Sequence, residues 1–232
     1  MTFSTSALFG VLTLVGFSAA CSSAQARPES AARAAVECDG GDVRTEREAD
    51  RYYACERIVG DLRIEGTALR ELNAFANVRS VSGALTIAHN ASLETLGALA
   101  RLRSVRKLTI AGNPELTDLR GLGGLERVER LELRRNGFYR TLGLEHLRSV
   151  GELVVKENPN LVSLSGLNHV AVAGSLQISD NPRLSARLGL LPALESLRGE
   201  LVVSHNLGVS KADVEALSER AKAAGIVARN DH

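Results

Sequence analysis

Val105 to Val128 reads VRKLTIAGNPELTDLRGLGGLERV, with apolar residues at Leu108, Ile110, Leu116, Leu119, Leu122, Leu125 and Val128. One segment of this length cannot bury so many apolar groups by itself. Its copies recur along the chain, which predicts a stack of similar turns sharing one continuous core. Each turn opens on a Leu-x-Ile alternation: Leu62 and Ile64, Leu85 and Ile87, Leu108 and Ile110, Leu131 and Leu133, Leu153 and Val155, Leu176 and Ile178, Leu201 and Val203. The leading leucines are spaced by 23, 23, 23, 22, 23 and 25 residues. Period-two alternation in so short a run predicts a strand with one buried face, and copies in register predict a parallel sheet with rungs about 4.8 Å apart.

Three residues after the second strand apolar stands Asn90, Asn113, Asn136, Asn158, Asn181 or Asn206, with Thr67 in the first turn. An amide at such a corner bonds backbone groups freed by the bend and the amide of the next rung, so these residues are read as a structural ladder. Beyond the corner, apolar residues fall every third position, as in Leu69, Leu72, Phe75, Val78 and Val81. Period three fits 3₁₀ or extended segments, and Gly121, Gly123 and Gly124 disfavour an α-helix there. The chain changes character at Ser210, where SKADVEALSERAKAAG begins with a capping box and ends at Gly225. This predicts a helix over about 210–225 covering the last rung, followed by a short strand at Ile226 to Ala228. The fold class is a β-solenoid, a single right-handed β-helix of leucine-rich-repeat-like turns with about seven rungs of ~23 residues.

With 28 basic and 27 acidic residues among 232, nothing global points to a polyanion, and a nucleic-acid partner is not expected. Met1 to Ala20 has no charged side chain, and Ala7 to Phe17 forms an apolar stretch of secretory length, so 1–20 reads as a signal peptide. Ser18-Ala19-Ala20-Cys21 resembles a bacterial lipobox, making Cys21 a lipidation candidate; the alternative is cleavage after Ala24-Gln25-Ala26 and release of a soluble protein. Either route exports the chain. Lipidation implies the cell envelope, as an outer-membrane lipoprotein touching the membrane through its anchor alone; cleavage implies a soluble periplasmic or secreted protein. Residues 21–37 read as a flexible tether and 38–232 as the repeat domain. Cys38 and Cys55 then remain to form a disulfide closing a loop of about 17 residues, worth about 3 kcal/mol. Metal ligation is the rival reading, although neither cysteine has a C-x-x-C or histidine neighbour.

The stretch Cys38 to Ile64, CDGGDVRTEREADRYYACERIVGDLRI, resembles the opening of the receptor L domain, the ligand-binding module of insulin and epidermal growth factor receptor ectodomains. The matching positions are Cys38, Gly40, Asp42, Val43, Arg44, Cys55, Ile58, Gly60, Leu62 and Ile64. The I-x-G-x-L-x-I element returns at Val81, Gly83, Leu85 and Ile87 and, more loosely, at Leu197, Gly199, Leu201 and Val203. The resemblance implies a recognition coil. No cysteine-rich module, transmembrane span or kinase accompanies it, so growth-factor signalling does not carry over.

No hydrolase, zincin or phosphate-loop motif occurs, and His89 and His205 sit at one position of turns about 24 Å apart, too far to share an ion. No catalytic residue, metal or cofactor is expected, and the protein is read as a non-enzyme. The outward strand positions, Arg63, Thr86, Thr109, Glu132, Val154, Gln177 and Val202, form a mixed face suited to a protein or glycan ligand or to plain solvation. The fourth turn departs from its neighbours as RRNGFYR, Arg134 to Arg140. Counting from Asn136 places Tyr139 inward and Phe138 outward among Arg130, Arg134, Arg135, Arg140 and Lys156, the composition of a binding hot spot. The alternative is that Phe138 folds onto a neighbouring corner while Glu132, Glu152 and Glu157 neutralise the arginines. The whole reads as a recognition or adhesion module; a structural envelope lipoprotein without a ligand and a glycan-active enzyme are the other readings.

Overall fold

Each Leu-x-Ile alternation folds as a strand, and the strands stack in sequence order. The computed structural model describes residues 34–187, 189–221 and 225–228, so the leader, Cys21 and the tether up to residue 33 lie outside the described residues. The elements are β1 (Glu37–Val43), α1 (Glu46–Asp50), β2 (Arg57–Glu65), β3 (Ser80–Ala88), β4 (Ser104–Ala111), β5 (Arg127–Arg134), β6 (Ser149–Lys156), β7 (Val172–Ser179), β8 (Ser196–Leu197), β9 (Glu200–Ser204), α2 (Lys211–Ala221) and β10 (Gly225–Ala228). They form one sheet in the order β1-β2-β3-β4-β5-β6-β7-β9-β10, with β8 pairing β7 beside that path. Every pairing is parallel. The protein is a solenoid of short strands.

The register places Leu62, Leu85, Leu108, Leu131, Leu153, Leu176 and Leu201 side by side, all buried. Burying one such side chain stabilises by about 1.5–3 kcal/mol, so the column outweighs any single surface contact. Period three behind the corners becomes short 3₁₀ turns at Asn73–Phe75, Gly97–Arg101, Arg120–Leu122 and Ser165–Leu167.

The corner asparagines are fully shielded and bonded from rung to rung. Asn113 is typical: its Nδ2 donates to the Ile87 carbonyl at 3.0 Å and to Asn136 Oδ1 at 3.1 Å. Its own Oδ1 accepts from the Asn90 backbone N–H at 3.1 Å and from Asn90 Nδ2 at 3.2 Å. Thr67 starts the chain of bonds by donating its hydroxyl and its N–H to Asn90 Oδ1, and Asn206 ends it by donating to the carbonyls of Ile178 and Ser204.

Both ends of the stack are covered. At the first, Cys38 and Cys55 form a disulfide with Cα atoms 5.8 Å apart, and buried Tyr52 stacks on Phe75 with ring centroids 5.2 Å apart. Helix α1 is held by a capping box in which Thr45 Oγ1 accepts from the Glu48 N–H and Glu48 accepts from the Thr45 N–H. The tether ends earlier than its composition implies: the Val36 carbonyl accepts from Glu56 and Arg57, and Glu37 pairs with Arg57 in the sheet. Backbone pairing needs no apolar side chain, so a polar stretch could join the ladder unannounced. At the other end Ser210 caps α2 through a reciprocal exchange with Asp213, and Val214, Leu217 and Ala221 are buried.

Candidate functional site

The strand residues that alternate with the buried leucines line the outer face. Arg63, Thr86, Thr109, Glu132, Val154, Gln177 and Val202 stand in register as one column. Arg63 is exposed, and Thr86, Thr109, Glu132, Gln177 and Val202 are half-buried. Val154 departs from the expected exposure, being 7% accessible, because longer side chains flank it on every side: Glu132 and Gln177 across the sheet, Glu152 and Lys156 along its strand.

Charge concentrates at the centre of this face, and the structure pairs most of it. Arg130 bonds Glu152 and lies 3.4 Å from Glu132, which also faces Arg134 at 3.8 Å. Arg135 bonds Glu157, and Lys156 reaches Glu157 at 3.4 Å and Asp180 at 3.9 Å. The hydrogen bond from Arg135, foremost, with Lys156 beside it, holds the Glu157 carboxyl below its usual range against partial desolvation. Four of the cations marked in the sequence as ligand-binding candidates are thus already engaged with carboxylates. Arg140, the fifth, has no ion pair among the described residues; it bridges to Ser163 and lines a hollow of about 290 Å³ with Arg187 and Ser185.

The fourth turn corrects the sequence reading. Phe138 is fully buried and Tyr139 is the exposed aromatic, at 54%. In other turns the inward residue stands three after the asparagine, as Leu93, Leu116, Leu161 and Leu184 do, and each of these donates its N–H to the asparagine carbonyl. The fourth turn is one residue shorter. The Val162 N–H bonds the Tyr139 carbonyl just as the Thr117 N–H bonds that of Glu94, so Tyr139 occupies the Glu94 position and Phe138 the leucine position. The 22-residue step from Leu131 to Leu153 was the available signal, and Thr67-x-Leu69 shows the same short corner. No exposed aromatic hot spot exists at Phe138. A further consequence is that Thr141 falls in the buried column of Leu96, Leu119 and Leu164, with its hydroxyl unpartnered.

One residue before each corner asparagine, and before Thr67 in the first turn, the backbone turns left-handed: Gly66, His89, Gly112, Arg135, Glu157, Asp180 and His205 all have φ between 53° and 67°. Five of these seven are not glycine, although the conformation favours glycine. Sequence reasoning missed this column. His205 Nδ1 lies 3.2 Å from Asp180, and His89 belongs to a distant rung. Among the described residues no group of three His, Cys, Asp or Glu side chains could hold a metal.

A family model of the receptor L domain matches residues 54–169, half of the chain. The chain belongs to the receptor L domain family. In structure this receptor L domain is similar to the leucine-rich repeat domain of the type III effector XCV3220 (XopL), at 18% identity over 85% of this chain and 77% of that one, with a TM-score of 0.48. No curated protein matches it. A receptor L domain is a recognition module, which directs attention to accessible surfaces.

Proposed function

We propose that this protein is a non-catalytic recognition or adhesion module of the cell envelope, presenting the outer face of its parallel sheet to a protein or glycan ligand. The observation that carries the reading is the in-register column from Arg63 to Val202, exposed or half-buried except at Val154 and held on a fully buried asparagine and leucine framework. Such a strip is already ordered before a partner arrives, which reduces the entropy lost on binding. Glu48 and Glu157 are held low, the former chiefly by the backbone N–H of Arg44 and the latter chiefly by Arg135, so both stand as carboxylates in this surface. In this reading Cys21 carries a lipid that anchors the domain, and the disulfide fits the oxidising surroundings of an exported chain.

The test is capture of envelope fractions by wild-type protein and by Thr109→Arg, which places a long cation in the middle of the strip. Capture should fall at least about fivefold, since a mismatched interfacial charge costs more than 1 kcal/mol. Equal capture by the two proteins sinks the sheet-face reading. A structural envelope lipoprotein without a ligand is the second reading, favoured by the mutual neutralisation of Arg130, Arg134, Arg135 and Lys156. It requires that no envelope component is selectively retained by either protein.

A further inference from the structure

Among the described residues the entry turns from β2 to β8 close on the next rung with the same contacts, except at one junction. The carbonyl of Glu56 accepts from Arg79 and Ser80, that of Arg79 from Arg103 and Ser104, that of Glu126 from Arg148 and Ser149, and that of Arg148 from Ala171 and Val172. Strand pairing then begins at once, as in Ser80 with Ser104 and Arg127 with Ser149. Between β4 and β5 neither feature is present. Pairing starts only at Lys107 with Arg130, and among the described residues neither Glu126 nor Arg127 donates its N–H to the Arg103 carbonyl.

The cause is steric. Two residues before the strand leucine the other rungs carry Gly60, Gly83, Gly151, Gly174 and Gly199. A Cβ on any of the last four would lie between 2.1 and 2.8 Å from a carbonyl oxygen of the preceding rung. At this position β5 carries Glu129 instead, a side chain that a closed junction with β4 cannot hold, and β4 carries Arg106, beside which the register with β3 shifts between Val81 and Ala84. A shallow, open depression of about 490 Å³ spans this opening and the strands beside it, from Val81 of β3 to Gly151 of β6. Buried Val81, Val105 and Val128 form its apolar floor, and Ser82, Ser104, Arg106, Arg127 and Glu129 its polar wall. Arg106 Nη2 is steadied on the Ser82 carbonyl at 3.0 Å, and neither Arg106 nor Arg127 has an ion pair among the described residues.

We propose that this cleft binds an acidic saccharide. Arg106 and Arg127 hold its carboxylate, Glu129 and the two serine hydroxyls take its ring hydroxyls, and its C–H face rests on the valines. An inserted peptide strand does not suit the opening, because β4 and β5 rejoin at Lys107 and Arg130 and close it after about three residues. The proposal rests on the recognition reading but uses a surface apart from the central outward column.

The probe is digalacturonate, titrated into the whole exported domain by calorimetry with maltose as the neutral control. Digalacturonate should bind in the millimolar range and maltose at least about tenfold more weakly, and Arg106→Gln and Arg127→Gln should each weaken digalacturonate about tenfold. The double variant Arg106→Gly with Glu129→Gly should close the junction and abolish binding without lowering the unfolding temperature. No saturation by about 20 mM, equal binding of maltose, or unchanged binding in both glutamine variants overturns the proposal. So does preferential binding of an acidic peptide. If digalacturonate fails while envelope capture remains sensitive to Thr109→Arg, the cleft falls and the sheet-face reading stands. The reverse pattern removes the sheet face and keeps the cleft.

Discussion

Phe138→Ala should destabilise the protein by about 3–5 kcal/mol, whereas Tyr139→Ala should change stability by less than about 0.5 kcal/mol. The contrast follows from the shortened fourth corner, which places Phe138 fully inside and leaves Tyr139 54% exposed. A phenylalanine buries about 200 Å², and at about 25 cal/mol per Å² its transfer alone is worth up to ~5 kcal/mol, an upper bound because the unfolded chain is not fully extended. The cavity left by truncation adds to the loss, since the neighbouring Leu116 and Leu161 are fixed by their own rungs and cannot collapse far. Phe138→Leu should stay within about 1.5 kcal/mol of wild type, because leucine is the resident side chain of that column in other turns. Urea unfolding followed by far-ultraviolet circular dichroism measures all three. A larger loss for Tyr139→Ala than for Phe138→Ala would falsify the register assigned to the fourth turn.

Asn113→Ala leaves the Asn90 N–H without its acceptor and removes the donor to the Ile87 carbonyl, so a loss of about 2–5 kcal/mol is expected in the same assay; a loss under about 1 kcal/mol would show that the ladder is replaceable. Thr141→Val removes a buried, unpartnered hydroxyl at nearly constant shape and should stabilise by about 1 kcal/mol, and a lower unfolding temperature would contradict this. Reducing the Cys38–Cys55 bridge should cost about 3 kcal/mol, read as the shift in urea midpoint with and without reductant; no shift would place the closed loop outside the cooperative unit. Because Glu157 titrates below its ordinary 4.5 when folded, its pair with Arg135 contributes stability above that pH and loses it as pH falls through the depressed value. The melting-temperature gap between wild type and Glu157→Gln should therefore be flat from about pH 6 to 8 and close on acidification; a gap that widens toward acid refutes the assignment.

The strand register was legible because one spacing governs it: leucines 22 to 25 residues apart leave few ways to stack period-two strands without exposing their apolar face. The asparagine corners were legible for the same reason. Deviations inside a turn were not, since a deletion at Gly137 and one at Tyr139 give the same interval from Leu131 to Leu153, and only the hydrogen bond from Val162 to Tyr139 tells them apart. Helix α1 was missed although Thr45 and Glu48 carry a capping-box spacing, because five residues show too little apolar period. Neutralisation of the arginines by Glu132, Glu152 and Glu157 was one of the two readings open in the sequence, and the ion pairs of Arg130, Arg134 and Arg135 bear it out; which carboxylate each arginine reaches depends on the register of adjoining rungs. The cleft had a faint trace in Arg106 and Glu129, which stand where the glycine of the strand element is expected.

The asparagine ladder and the open junction meet between the third and fourth turns, with a mechanical result. At one corner Asn113 and Asn136 pin the two rungs at 3.1 Å, and at the other corner the Arg103 carbonyl and the Arg127 N–H are not joined. In a linear array whose stability is the sum of repeats and nearest-neighbour interfaces, the interface with fewest bonds sets where the array divides. Five strand pairs, from Lys107 with Arg130 to Ala111 with Arg134, still join these two rungs, against four between β9 and β10, so the array does not divide here and the junction is a notch along the arginine edge of one continuous sheet. A molecule seated in the notch would span the arginine edge of the stack where backbone bonds do not.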